Sequence, residues 1–66
     1  MTIKYPNIKV KLVGTDGNAF AILGKVKQAL RKANVSADET KKFYDEATSG
    51  DYDHLLSVCM NWVYVI

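Results

Sequence analysis

His54 and Cys59 are the only imidazole and the only thiol in this 66-residue chain, so acid–base or nucleophilic chemistry would have to begin with them. In Asp51-Tyr52-Asp53-His54 two carboxylates sit beside that imidazole, a combination able to ligate a metal or move protons. If Asp51 caps a helix, Asp53 and His54 project about 100° apart, and spacing alone does not make them converge. The same residues are what a helix N-terminus prefers, a cap followed by acids in the first turn. Cys59 lies about 140° from His54 on the wheel, on the apolar side with Leu55 and Val63. That position predicts a small core residue, not a reactive thiol. One cysteine leaves no internal disulfide, and one Cys with one His cannot assemble a zinc cluster without carboxylates or a second chain. The expectation is a protein that is not an enzyme, with no cofactor and no metal.

Two further patterns bear on binding. Gly14-Thr15-Asp16-Gly17-Asn18 leads from an expected strand into an expected helix, a place where free N–H groups can hold an anion. It lacks the Gly-Lys-Ser/Thr ending of a P-loop and the spacing of a dinucleotide fingerprint, and Asp16 would repel an anion; a turn ending in an Asn cap is the plainer reading. The cations are more suggestive. Residues 1–35 hold seven basic residues against one acid, a net +6. Residues 36–66 hold two against six, a net −4, which restores the overall +2. Such a dipole can steer an anionic partner or bring two copies together head to tail, acidic second helix on basic first helix. Lys9, Lys11, Lys25, Lys27, Arg31 and Lys32 are the candidate anion contacts. They are equally what a solvated helix face and an aggregation-resistant edge strand carry. Phe20 stands over the basic side of its helix, in line with Gly24, Lys27 and Arg31, as a partner contact would, unless the strand or the C-terminal segment covers it. Of the remaining aromatics, Trp62 reads as core and Tyr64 as a surface contact.

The elements that must position these residues follow from periodicity. Ile8 to Val13 alternates apolar and polar, a half-buried strand with Ile8, Val10 and Leu12 inward and Lys9 and Lys11 outward. Asn18 caps a helix reaching Ala33 or Asn34, whose apolar face holds Ala19, Ile22, Leu23, Val26, Ala29, Leu30 and Ala33. Ser36 and Glu39 have the spacing of a capping box ahead of a second helix to about Thr48, with a thin stripe of Ala37, Thr40, Phe43, Tyr44 and Ala47. Asp51 caps a third helix, apolar over most of its circumference and therefore expected at the centre of the fold, with the first helix packed on it. Val63 to Ile66 are β-branched and aromatic and can pair as a short strand with the first one.

The expected fold is a small, mostly helical α+β single domain, β-α-α-α with that C-terminal strand. An apolar content of 48% is ordinary for a globular protein. A domain this short buries only about 60% of its unfolded surface, and without staples such domains rely either on very good packing or on oligomerisation, so a monomer and a homodimer are equally expected. Met1 to Pro6 contain no signal-peptide core, and no apolar stretch nears the ~20 residues of a membrane span. A cytoplasmic protein without membrane contact is the expectation.

Asp16-Gly17-Asn18-Ala19-Phe20, Ile22-Leu23-Gly24, Glu46 to Leu56 and Trp62-Val63 make the whole chain resemble a family of short, uncharacterised bacterial and phage-borne proteins. The resemblance implies a bacterial or mobile-element origin and no assigned activity. The residues themselves predict a non-catalytic protein-interaction module or small regulator; the alternative is a weak nucleic-acid-binding protein working through the basic N-terminal half.

Overall fold

The computed structural model describes residues 3–12 and 17–66. The elements run β1 (Tyr5–Val10), α1 (Ala19–Lys32), α2 (Ala37–Ala47), α3 (Tyr52–Trp62) and β2 (Val63–Val65), so the α+β order expected from periodicity is the observed one. β1 and β2 pair in parallel. Parallel pairing demands a long crossover, and the three helices supply it.

β1 lies earlier than its alternation suggests, at residues 5–10 instead of 8–13. Its extent is set by its partner. Tyr5 pairs with Val63, Lys9 with Tyr64 and Val10 with Val65, with an irregularity between Tyr5 and Lys9. Pro6, which has no N–H to give, lies in that interruption, where a missing donor costs least. The Lys4 N–H donates to the Asn61 carbonyl (2.9 Å), and the Ile66 N–H to that of Val10 (2.9 Å). Leu12, just past β1, is half-buried and donates to the Ile66 carbonyl (3.3 Å). The expected strand end at Val13 and the turn at Gly14, Thr15 and Asp16 lie outside the described residues.

Each helix begins on its expected cap. The Asn18 side chain accepts from the Phe20 N–H, Ser36 from that of Glu39 and Asp51 from that of His54. α1 ends in a Schellman arrangement. Asn34 takes a left-handed conformation (φ 64°), its N–H donates to the Arg31 carbonyl, and the Val35 N–H donates to that of Leu30. Val35 then packs against the core.

The core comprises Val10, Ile22, Leu23, Val26, Leu30, Phe43, Ala47, Leu55, Val58, Cys59, Trp62 and Val63. α1 does not rest chiefly on α3. α3 packs mainly on α2, and α1 on α2 and β1. The reason is Phe43: the one large ring on the thin stripe of α2 is fully buried and meets Trp62 edge-on at 5.6 Å. Ala33 and Ala37, expected on apolar faces, are exposed, because one is the C-cap of α1 and the other the first residue of α2. Tyr44 is also exposed, and on α3 Tyr52 and Met60 face solvent.

The start of β1 is tied down by a polar cluster that sequence reasoning missed. The Lys4 ammonium contacts the Glu39 carboxylate at 2.8 Å and lies 4.2 Å from the Trp62 ring centroid. The Tyr5 hydroxyl donates to the same carboxylate (3.2 Å), and its ring lies 6.0 Å from that of Trp62. The Glu39 carboxylate expected in the capping box thus serves tertiary contacts.

Candidate functional site

The groups best suited to catalysis by type are engaged in the fold. Cys59 is fully buried, and desolvation pushes its thiol up to about 11. At neutral pH it is therefore a thiol, not the thiolate that nucleophilic chemistry requires. The His54 Nε2 lies 2.9 Å from the Glu46 carbonyl and 3.1 Å from the Ser49 hydroxyl. With its proton on Nε2 the ring donates to that carbonyl, one of the orphan acceptors at the end of α2. The Ser49 hydroxyl donates to the same carbonyl at 2.7 Å. Gly50 makes this possible: a Cβ there would sit 2.8 Å from the imidazole. Asp51 is the cap of α3, so Asp51-Tyr52-Asp53-His54 builds the corner between α2 and α3. Among the described residues no three His, Cys, Asp or Glu side chains group to hold a metal. Gly17, which precedes the Asn18 cap of α1, accepts at its carbonyl from the Tyr52 hydroxyl (2.8 Å).

The basic residues are brought together by the packing of α1 between β1 and α2. On the β1 side, Lys9, Lys11, Lys25 and Lys32 line one shallow depression with Gln28 and Ala29. The Lys25 ammonium donates to the Lys11 carbonyl at 2.8 Å, which joins strand to helix. On the crest of α1, Gly24, Lys27, Gln28 and Arg31 line a second. On the α2 side, Lys27 and Arg31 also line a cleft of about 520 Å³ with Asn34, Thr40, Lys41 and Tyr44. The Lys27 ammonium sits 4.9 Å from the Tyr44 ring centroid, a cation–π distance. Neighbouring depressions share residues: Gln28 belongs to the first and second, Lys27 and Arg31 to the second and third. Together they make one band over α1 with no carboxylate among the described residues of its lining.

All six basic candidates read from the sequence lie in this band. Lys41 is the addition. It belongs to the acidic half of the chain, and only the docking of α2 on α1 sets it opposite Arg31. Tyr64, half-exposed on β2, is the register partner of Lys9 and extends the band over the sheet. Phe20 is separate from it. Neither the strand nor the C-terminal segment covers this ring, which is 77% exposed. It flanks an apolar depression lined by Ala19, Leu23, Ala47, Tyr52 and Leu55. Among the described residues no helix is long and apolar enough to cross a membrane.

Comparison with family models, with curated proteins and with solved structures finds no match, and the functional reading rests on this geometry.

Proposed function

We propose that this protein is a non-catalytic binding module and that the partner of its basic band is a nucleic-acid backbone. One observation carries the reading: seven cations (Lys9, Lys11, Lys25, Lys27, Arg31, Lys32 and Lys41) line three adjoining depressions, with no carboxylate among the described residues of their lining. A continuous cationic surface attracts a polyanion through counterion release, which requires no base readout. The composition agrees. Eight lysines to one arginine provide point charges, and little of the bidentate geometry that reads bases. Exposed Tyr44 and Tyr64 offer ring faces at the two sides of the band for stacking on unpaired bases. A cytoplasmic setting belongs to the same proposal, since a core thiol with no disulfide partner suits a reducing compartment.

Fluorescence anisotropy with a short DNA duplex, its single strand and poly-glutamate tests this over a salt series. The expected result is binding to DNA with a log–log salt slope of about −4 to −5, as for roughly five neutralised phosphates. Replacing Lys9, Lys32 and Lys41 together by Glu should abolish binding while the circular dichroism melt stays intact. No binding at about 50 mM salt, where backbone contacts are strong, overturns the proposal. Tighter binding to poly-glutamate than to DNA overturns it in favour of an acidic protein partner.

A further inference from the structure

We infer that the outer face of α1 is a self-association surface: a second copy of the chain docks on it antiparallel, with Phe20 of each copy seated on Gly24 of the other. Two oddities lie one turn apart on this face. Phe20 is the most exposed large apolar side chain among the described residues. Gly24 sits in mid-helix, where glycine weakens a helix relative to alanine. Packing among the described residues does not call for it, because a Cβ at Gly24 would meet none of their atoms within 4 Å beyond the local helix backbone. A missing side chain in open space has a use when another surface comes close. The depression above Gly24, walled by Lys27, Gln28 and Arg31, offers an incoming ring alkyl stems to lie along and cations at its face.

Knob and hole on one patch specify the symmetry. In a two-fold contact residue i meets j and j meets i, and Phe20 with Gly24 satisfies this when the axis passes near Ile22. A head-to-tail contact of acidic α2 on basic α1 would use each surface once and leave an open end on every copy. The two-fold arrangement also suits the charges. Each Lys27 Cα lies about 7.5 Å along the helix from the axis, so the two are about 15 Å apart along it, beyond the ~8 Å screening length at physiological salt. Each comes level with Gly17 of the second copy, where the Tyr52 hydroxyl is bonded and Asp51 and Asp53 open α3. Cations of one copy thus come level with the end of α1 that Tyr52 joins to the start of α3 in the other. The apolar depression beside Phe20, lined by Leu23, Ala47, Tyr52 and Leu55, continues the contact. A specific interface needs about 1,000 Å² in total, roughly 500 Å² from each copy. That is a modest share of the 4455 Å² surface.

Light scattering and sedimentation of the nuclease-treated full chain over a concentration series test this. The expected result is a 7.4 kDa species converting to one of twice that mass. Gly24→Leu should be folded, because its side chain has open space in the single copy, and monomeric, because the hole is filled. Gly24→Ala should raise the melting temperature of the single copy while weakening the dimer at least about tenfold, a loss near 1.4 kcal/mol. Phe20→Ser should also leave a folded monomer. A single 7.4 kDa species at every concentration, mass that grows without closing at the dimer, or a dimer indifferent to Gly24→Leu or Phe20→Ser overturns the inference.

Discussion

Glu39 shows how much one half-buried side chain can organise. It lies at the start of α2 and receives Lys4 and Tyr5 from the start of β1, with Lys42 at 3.5 Å. The hydrogen bond from Lys4 holds its carboxyl below the ordinary 4.5, helped by Tyr5 and opposed by desolvation. The bond to Glu39 raises Lys4 above 10.5; desolvation, and then Glu39, raise Tyr5 above 10.0. The signs define two limbs. A depressed carboxyl stabilises the fold above its unfolded value, and that contribution is lost as pH falls through the folded one. Raised groups stabilise below their unfolded values and lose that contribution as pH climbs past the folded ones. With the buried Cys59 thiol raised from 9.0 as well, the melting temperature should therefore fall below about pH 4.5 and above about pH 9. Glu39→Gln should flatten the acid limb and shrink the alkaline one, where buried Cys59 still contributes. Thermal melts of both proteins across pH check this; an unchanged acid limb in the variant would show that Glu39 has no part in it. Asn34 gives a second test at this scale. Its φ of 64° is tolerated by Asn and Gly and disfavoured by a β-branched side chain. Asn34→Val should cost about 1–2 kcal/mol, whereas Asn34→Gly should hold or raise stability, as urea titration would report.

At the scale of elements, α3 and β2 act as one unit. Trp62 ends the helix, Val63 begins the strand with no loop between them, and both are buried. Leu55 lies two turns before Trp62, 3% exposed, in the same core. Leu55→Ala should cost about 2–5 kcal/mol, a large part of the 5–15 kcal/mol or so that holds a domain, and more telling in one this small. Chemical denaturation with an unchanged slope and a lowered midpoint is the expected result; a midpoint equal to wild type would contradict the core position of α3. The helices were legible because their signals are local. Asn18, Ser36 and Asp51 each satisfy an N–H two or three residues ahead, and an apolar stripe repeats every turn. β1 was less so. Its alternation showed which side chains face inward, but its ends depend on where a strand more than fifty residues away begins and stops.

At the scale of the molecule, the charge split of the sequence becomes a surface. Four cations from α1, two from β1 and its end and one from α2 form the band, and the acids of the second half lie elsewhere. Binding through it should weaken with salt and fail when Lys9, Lys32 and Lys41 are reversed, whereas self-association through Phe20 and Gly24 should respond to those two positions. The sequence by itself determined the helix caps, the inward faces (apart from the helix ends and Tyr44, Tyr52 and Met60), the burial of Cys59 and Trp62 and the six basic candidates, because caps, periodicity and charge act within a few residues of chain. Tertiary structure alone decided that Phe43 brings α2 under α3, that Lys4 and Tyr5 close on Glu39, that Lys41 joins the band and that Phe20 stays uncovered. Each of these depends on the distance between residues far apart in sequence, and that distance is fixed only when the elements pack.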